Sequence, residues 1–256
     1  MKKEKEVVLI TGCSSGIGYE TAKIFAENGY KVVMTSRNLK PLHILKKRLE
    51  RKNPFLLPLK LDVTKKDEVL NVIGSLPKEF KNIDILVNNA GIGLGLEKLY
   101  DGNPDEWDIM IDTNIKGILY VTKAVLPLMV KRNKGHIINI GSVAGREVYP
   151  GGNVYCASKF AVRGLTKALK VDLLGTKVKV TTIDPGMVET NFSNIRFRGD
   201  KERAKKVYEG MKPLVAKDIA DAVFYCATRP PHCNILEMVI MPVDQSGAVF
   251  VNRKAD

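Results

Sequence analysis

Short apolar runs alternate along the chain with longer segments in which apolar residues recur every three or four positions. Seven of these runs are rich in β-branched residues: VVLIT, KVVMTS, FLLPLKLDV, DILVNNAG, HIINIGS, VKVTTIDPG and EMVIMPV. The segments between them have the spacing of amphipathic helices, and one of them, YETAKIFAENG, ends on a glycine typical of a helix C-cap. We therefore predict an α/β fold, a doubly wound sheet of about seven parallel strands with helices on both faces.

The same alternation continues through the whole chain. Its length of 256 residues lies in the range that α/β proteins fill as one domain, and no repeat or linker interrupts it, so we expect residues 1–256 to form a single domain. Only Ser193 to Lys212, rich in charge and without a clear strand, has the pattern of a mobile insertion. Ligands of open α/β sheets bind at the carboxyl ends of the strands, so the informative residues should follow the seven runs.

The formal charge of +13 would suit a polyanionic partner. The basic residues, however, alternate with acidic ones, as in KKRLERK and GDKERAKK, and no nucleic-acid-reading motif accompanies them. We interpret them as a solvated surface and expect no nucleic-acid partner. The apolar run after the basic N-terminus is too short for a signal peptide, and no segment approaches a membrane span, so we expect a cytoplasmic protein with no membrane partner.

The cysteines and histidines lack the spacing of metal ligands. The four cysteines form no C-x-x-C pair, which favours reduced thiols in the cytosol: Cys13, Cys156, Cys226 and Cys233. The three histidines show no ligand spacing with one another or with the cysteines: His43, His136 and His232. We predict no metal.

A glycine-rich stretch, TGCSSGIG, follows the first apolar run and precedes a helical segment. Its glycines, Gly12, Gly16 and Gly18, are spaced G-x-x-x-G-x-G. Backbone N–H groups at the start of a helix can hold a pyrophosphate there, and glycine lets the backbone approach it. Read alone, the same pattern also fits a loop without a ligand.

The second run ends in Ser36-Arg37-Asn38, where dinucleotide folds place the residue that meets the adenosine ribose. An acidic residue there grips the 2′-hydroxyl of NAD, whereas an arginine accommodates the 2′-phosphate of NADP. Arg37 therefore predicts NADP. The alternative is that Arg37 is only an exposed cation at a strand end.

The stretch YCASK opens a helical segment and places Tyr155 and Lys159 on one helix face. A neighbouring ammonium lowers the pKa of a phenol and makes it usable as an acid or base near neutral pH. Ser142 ends the HIINIGS run on the edge where ligands bind, so its hydroxyl could bond a substrate oxygen. Asn114, in IDTNIKG, is a fourth polar candidate.

Together these motifs resemble the short-chain dehydrogenase/reductase family over essentially the whole chain. The matching elements are TGCSSGIG, NNAG at Asn88 to Gly91, Asn114, Ser142, YCASK and the pair Pro185-Gly186. The resemblance implies a Rossmann-type fold and an enzyme that transfers a hydride between a nicotinamide cofactor and an alcohol or carbonyl. The resemblance also implies that the spacing G-x-x-x-G-x-G is this family's form of the phosphate-binding loop.

The resemblance also assigns roles. Tyr155 would be the acid/base, Lys159 would bind the nicotinamide ribose and depress the pKa of the tyrosine, Ser142 would orient the substrate, and Asn114 would hold a water in a proton relay. The cofactor residues it implies, with Tyr155 and Lys159, are Gly12, Ser14, Ser15, Gly16, Ile17, Gly18, Arg37, Asn38, Asp62, Val63, Asn89, Pro185, Gly186, Val188 and Thr190.

Longer runs are similar to the bacterial NADP-dependent 3-hydroxy acid dehydrogenases, among them LPLMVKRNKGHIINIGSVAG, YPGGNVYCASK and FSNIRFRGD. That group oxidises serine, allo-threonine and related acids such as 3-hydroxybutyrate. It often has a second arginine where this chain has Asn38, which leaves the margin of NADP over NAD open. A 3-oxoacyl carrier-protein reductase or a broader carbonyl reductase would share the same catalytic residues, and a non-catalytic NADP-binding protein is a third alternative.

A 3-hydroxy acid needs a cation for its carboxylate, since a desolvated, unpaired carboxylate is costly. We expect Arg196 to supply it from a lid over the substrate, about residues 187–212, with Arg146 and Arg198 as the other candidates. The alternative is that all three are surface arginines paired with neighbouring acids.

The family usually forms homotetramers. Two helical segments that are apolar over much of their circumference, IMIDTNIKGILYVTKAVLPLM and FAVRGLTKALKVDLL, support the same expectation here.

Overall fold

The computed structural model describes residues 5–254. Its strands are β1 (Val7–Thr11), β2 (Lys31–Ser36), β3 (Leu56–Lys60), β4 (Ile83–Asn88), β5 (Gly135–Ile140), β6 (Val178–Pro185), β7 (Val188–Glu189), β8 (Leu214–Val215) and β9 (Glu237–Ile240). Its α-helices are α1 (Gly16–Glu27), α2 (Leu39–Leu49), α3 (Lys66–Gly74), α4 (Pro104–Ile111), α5 (Gly117–Arg132), α6 (Asn153–Asp172), α7 (Phe192–Arg196), α8 (Lys201–Lys206) and α9 (Ala216–Ala227).

Seven parallel strands form the central sheet in the order β3-β2-β1-β4-β5-β6-β9, which confirms the α/β prediction. The chain winds outward from β1 in one direction and then returns to continue from β4 in the other. Such a reversal opens a crevice at the carboxyl ends of the two central strands. The polar residues that follow the strands converge on this edge.

Both faces of the sheet are buried, which explains why its strands are nearly continuous apolar runs. Along β1, Val8 and Ile10 pack with Phe25 of α1 on one face. Val7 and Leu9 belong to the core on the other face, together with Val121 of α5. The two faces therefore alternate residue by residue, as the twofold period of a strand requires.

Residues 187–212 lie outside the main sheet. Strands β7 and β8 form a separate two-stranded pair, and α7 and α8 lie between them. Ser193 to Lys212, which showed no strand pattern, thus contains two short helices. The hydroxyl of Tyr208 bonds Ser193 at 2.8 Å and donates to the carbonyl of Val188 at 3.0 Å, so the segment is tied together internally.

Candidate active site

A cavity of about 670 Å³ opens at the carboxyl ends of the strands. It is large enough for a small-molecule ligand. Of the residues that the sequence assigned to the site, Gly18 and Asn114 do not line it. Those that do are Gly12, Ser14, Ser15, Gly16, Ile17, Arg37, Asn38, Asp62, Val63, Asn89, Ser142, Tyr155, Lys159, Pro185, Gly186, Val188, Thr190 and Arg196.

The glycine-rich loop runs from β1 into the N-terminus of α1. Gly12 has φ 72° and Gly16 has φ 57°, a left-handed backbone that side chains rarely adopt. Ser15, the N-cap of α1, makes no side-chain cap bond to the first turn. The N-terminal N–H groups of α1 are thus not claimed by a capping side chain, as an anion site requires.

Gly18 has a packing role. A Cβ at this position would lie 2.4 Å from Asn89 Nδ2 and 2.4 Å from the carbonyl oxygen of Gly12. Asn89 in turn donates to the carbonyls of Thr11 at 2.8 Å and Gly12 at 3.1 Å. The absence of a side chain at Gly18 therefore lets α1 pack against the glycine-rich loop and the end of β4. Gly18 does not line the cavity but contacts residues that do.

At the end of β2, Arg37 is exposed and lines the cavity. The neighbouring Asn38 is the N-cap of α2, and its side-chain oxygen accepts a bond from the N–H of Lys40 at 3.1 Å. The side chain of Asp62 accepts two bonds from Thr64, at 3.0 and 2.8 Å. The side-chain oxygens of Asn38 and Asp62 thus accept hydrogen bonds within local turns. Arg37 provides a positive charge at this end of the cavity.

Tyr155, Ser142 and Lys159 meet at the other end. The ammonium of Lys159 donates to the carbonyl of Ile140 at 3.0 Å, and its side chain is buried. Burial lowers the pKa of Lys159 to about 8, and the carboxylate of Asp184 opposes the fall. The hydroxyl of Ser142 accepts a bond from the N–H of Ala144 at 3.1 Å, which orients it at the end of β5.

The electrostatics of Tyr155 differ from the sequence interpretation. Burial raises the pKa of its phenol above the ordinary value, and the cation that opposes this rise is Arg196, assisted by a hydrogen bond with Ser142. The nitrogen of Lys159 lies 5.8 Å from the centroid of the Tyr155 ring. Sequence spacing pointed to Lys159 because it lies on the same helix, whereas Arg196 comes from α7.

Asn114 lies in a π-helical turn between α4 and α5, residues 112–116. Its side-chain oxygen accepts from the N–H of Ile92 at 2.8 Å, and its amide donates to the carbonyl of Ile92 at 2.8 Å and to Ser158 at 3.0 Å. Both amide hydrogens are used inside the fold. The side chain therefore holds the Ile92 segment beside the cavity, and its part in a proton relay stays a prediction.

The three candidate arginines have different surroundings. Arg146 is bound to Asp184 and Glu237 at 2.7 Å each. Arg198 binds Glu106 at 2.6 Å and lies outside the cavity lining. Only Arg196 lines the cavity, so the interpretation of all three as surface ion pairs is wrong for this one.

Residues 6–200 match the family described as short chain dehydrogenase. The chain belongs to this family. It is 48% identical over 243 residues to the NADP-dependent 3-hydroxy acid dehydrogenase YdfG of Salmonella typhi, with 94% of this chain and 97% of the relative covered. It is 44% identical over 251 residues to an NADP-dependent 3-hydroxy acid dehydrogenase of Schizosaccharomyces pombe, with 97% of each chain covered.

Solved structures agree with these relatives. A closed form of serine dehydrogenase complexed with NADP+ superposes with a TM-score of 0.91 at 46% identity, over 97% of this chain and 100% of the other. Serine dehydrogenase from Escherichia coli superposes with a TM-score of 0.82 at 42% identity, over 94% of this chain and 99% of the other. The resemblance to short-chain dehydrogenases and to 3-hydroxy acid dehydrogenases is thus confirmed.

One residue that lines the cavity was not assigned to the site from the sequence. Gln245 accepts a bond from the N–H of Met187 at 2.8 Å, and a Cβ on Gly186 would lie 2.3 Å from its side-chain oxygen. It therefore holds the segment that follows β6 against the C-terminal residues. The only sequence signal was a polar residue shortly after the EMVIMPV run, which by itself predicts no contact.

Residues 5–254 contain neither a cluster of metal-ligand side chains nor a helix suited to cross a bilayer. They contain no group of three or more histidine, cysteine or acidic side chains placed to hold a metal ion. None of their helices combines the length and the apolar character needed to cross a bilayer.

Proposed function

We propose that this chain transfers a hydride between NADP(H) and a 3-hydroxy acid, interconverting the 3-hydroxyl group and a 3-oxo group. The observation that carries the proposal is the placement of Arg196. Its guanidinium lies beside Tyr155 inside the cavity, and Nη2 is buried with no hydrogen-bond partner among the described residues. A carboxylate that enters the cavity would pair with the side of this guanidinium that lines it. The names of the similar proteins, 3-hydroxy acid and serine dehydrogenases, support the same substrate class.

The residues of the cavity fit NADP. The left-handed glycines Gly12 and Gly16 and the uncapped start of α1 provide a backbone cradle for a pyrophosphate. Arg37 would pair the 2′-phosphate that distinguishes NADP from NAD. When bound, the nicotinamide supplies the hydride for reduction of the ketone or accepts it on oxidation of the alcohol.

The protein's own groups would move the proton and hold the substrate. In oxidation, Tyr155 takes the proton of the 3-hydroxyl as the carbon–hydrogen bond breaks, and in reduction it returns that proton to the carbonyl oxygen. Ser142 donates to the same oxygen and orients it. Lys159 holds the ribose and adds positive charge beside the phenol, while Asn114 fixes the loop at Ile92 from behind.

Cationic groups dominate the substrate end. Of the described residues that line the cavity, the single acidic one is Asp62, at the adenosine end, whereas Arg196 and Lys159 both lie close to the Tyr155 ring centroid, at 5.2 and 5.8 Å. An anionic substrate would be attracted there. The α-ammonium of a zwitterion such as serine would find no carboxylate to pair with, so 3-hydroxybutyrate should be used more efficiently than serine.

The experiment is a substrate panel with each cofactor. We expect oxidation of 3-hydroxybutyrate with NADP at a kcat/KM well above that of 3-hydroxybutyryl thioester, and at least ~30-fold above that with NAD, the value of a charge-assisted pair of about 2 kcal/mol. Tyr155→Phe is the control that removes the proton acceptor but keeps the ring. A preference for the thioester would assign the chain to acyl-thioester reduction, and cofactor binding without turnover of any alcohol would mark it as non-catalytic.

We also propose a homotetramer. Large apolar side chains remain exposed on the helices that showed an excess of apolar positions, among them Leu119 of α5, and Phe160 and Val171 of α6. Burying them between copies would be favourable. Light scattering at micromolar concentration tests the proposal, and a monomeric mass would overturn it.

We propose that the protein resides in a reducing compartment such as the cytoplasm, because its cysteines are not paired. All four are free thiols in the structure, and Cys13, Cys156 and Cys226 are buried. Cell fractionation that recovers the protein with an oxidising compartment would contradict this.

A further inference from the structure

Arg196 is held rigidly beside the catalytic phenol. Its Nε donates to the carbonyl of Gly95 at 3.0 Å, and its own carbonyl accepts from the N–H of Gly95 at 3.1 Å. The guanidinium carbon lies 5.3 Å from the ring centroid of Tyr149 and 5.2 Å from that of Tyr155. The cation is therefore fixed against two aromatic rings, one of which carries the transferable proton.

Arg196 also has a guanidinium nitrogen that lacks a hydrogen-bond acceptor among the described residues. Arg196 is 9% exposed, and its Nη2 is buried without an acceptor among residues 5–254. A buried N–H that lacks a partner is costly, and a charged acceptor removes that cost. The cavity that this residue lines also contains Tyr155 and Ser142, so a ligand carboxylate that pairs with the guanidinium would belong to the molecule that reacts.

Few other charges act on Tyr155. The titratable and charged groups that face it are Arg196 of α7, Lys159 and Cys156 of α6, and Tyr149 of the loop before α6, with Asp184 of β6 acting on Lys159. Burial raises the pKa values of Tyr149 and Cys156, so both are neutral at neutral pH. Arg196 and Lys159 are thus the cations near the phenol, and Arg196 is the one that can be neutralised by a substrate.

We propose that a substrate carboxylate, by pairing with Arg196, withdraws that positive charge from Tyr155, so that the enzyme holds its phenolic proton more tightly with a 3-hydroxy acid than with an uncharged alcohol. The proposal rests on the proposed function, because it needs a carboxylate substrate. Arg196 then has two roles, as the anchor that selects anions and as the charge that tunes the acid. A unit charge at this range, in an effective dielectric of about 20, moves the ionisation of a phenol by about one to two pH units.

The test compares 3-hydroxybutyrate with its methyl ester, which has the same reacting carbon and no charge. The single-turnover rate of hydride transfer at saturating substrate is measured against pH, so that the profile belongs to the full complex. We expect the midpoint for the acid to lie about one pH unit or more above that for the ester. The profile of kcat/KM reports the enzyme–NADP complex, so its midpoint should be the same for both substrates. Coinciding midpoints in the saturated profiles would overturn the coupling.

Two variants separate the charge from the anchor. Arg196→Leu should raise KM for the acid by ~30-fold or more, change KM for the ester less than ~3-fold, and shift the kcat/KM profile of the ester to higher pH. Arg196→Lys keeps a cation but loses the planar guanidinium, which can form two parallel hydrogen bonds with a carboxylate. Its pH profile of kcat/KM for the ester should therefore match the parent's, whereas its KM for the acid should still rise. Arg198→Leu removes a charge from the same segment outside the cavity, and its ester profile should match the parent's.

Tyrosinate absorbance identifies the titrating group directly. The difference between the enzyme and Tyr155→Phe, each with NADP, isolates this phenol and excludes Lys159, whose pKa of about 8 lies nearby. The absorbance midpoint should rise in Arg196→Leu and remain in Arg198→Leu, and an unchanged midpoint in Arg196→Leu would refute the proposal. If no 3-hydroxy acid is oxidised but the ester is, the proposed function fails, whereas turnover of both with identical profiles defeats only the coupling.

Discussion

Arg146 Nε lies 2.7 Å from the carboxylate of Asp184, and this pair joins the loop that follows Ser142 to the end of β6. Asp184 is 2% exposed and also accepts a bond from Thr182 at 2.8 Å. Gly141 passes so close that a Cβ there would lie 2.0 Å from the Asp184 carboxylate. The backbone before Ser142 is therefore positioned by an ion pair whose carboxylate is buried.

Breaking this pair should destabilise the protein strongly. We expect Arg146→Met to lower the free energy of unfolding by about 3–5 kcal/mol, because Asp184 is left as an unpaired buried charge. Adding Asp184→Asn in the same chain should recover much of the loss. Arg163→Met is a matched control, since Arg163 binds only the more accessible Glu237, and it should cost less than about 1 kcal/mol. Chemical denaturation measures all four proteins, and equal losses for Arg146→Met and Arg163→Met would show that burial of the pair contributes nothing.

Arg37 should determine the choice of cofactor. We expect Arg37→Leu to weaken NADP by ~30-fold or more and NAD by less than ~3-fold, since only NADP carries the 2′-phosphate. Dissociation constants from nucleotide fluorescence titration check this. Lys40 is an exposed cation at the start of α2, three positions after Arg37. Lys40→Leu should therefore change the affinity for NADP less than Arg37→Leu does. Similar losses for both cofactors in Arg37→Leu would mean that this residue supports the loop instead.

Gly18 should tolerate no side chain. In Gly18→Ala the new methyl group would meet the Gly12 carbonyl and the Asn89 amide at 2.4 Å, so the loop has to move. We expect a loss of about 1–3 kcal/mol in stability together with weaker cofactor binding. Gly74→Ala places a methyl where nothing lies within 4 Å, and it should leave both quantities nearly unchanged. Normal cofactor affinity in a folded Gly18→Ala protein would contradict the packing role.

His136 makes stability depend on pH in the acid range. It is 3% exposed, its Nε2 lies 2.7 Å from the Thr181 hydroxyl, and burial lowers its pKa from 6.5 to about 3. Between these values the unfolded chain binds a proton that the folded chain does not, so stability rises with pH through this window. The cost is fully present below pH 3 and absent above 6.5.

The contribution of His136 amounts to as much as about 1.4 kcal/mol for each pH unit within that window. His136→Gln should therefore flatten the dependence of the unfolding free energy on pH, as measured by urea denaturation between pH 4 and 7 in steps of about half a unit. The exposed His43→Gln is the control and should keep the slope of the parent. An unaltered slope in His136→Gln would assign the acid sensitivity to carboxylates.

Much of the site could be read in advance because its residues follow strands. Ser142 follows β5, and the Gly12 loop follows β1; parallel strands end at one edge, so both had to converge on the same crevice. Tyr155 and Lys159 could be paired because four helical positions return to the same face. These inferences use only local spacing and the geometry of a parallel sheet.

Periodicity and strand-end position are local properties, so the amino-acid pattern alone predicted the seven strands, their alternation with helices and most of the residues that line the crevice. Which of the three arginines lines the cavity beside Tyr155 depends on the tertiary fold. Arg196 meets Gly95 across 101 positions of sequence, and Arg198 meets Glu106 across 92. Whether a guanidinium is solvated, forms an ion pair or lines a cavity depends on the groups that the fold places around it. Those groups come from elements far apart in the chain, and their energy depends on burial that no local pattern encodes.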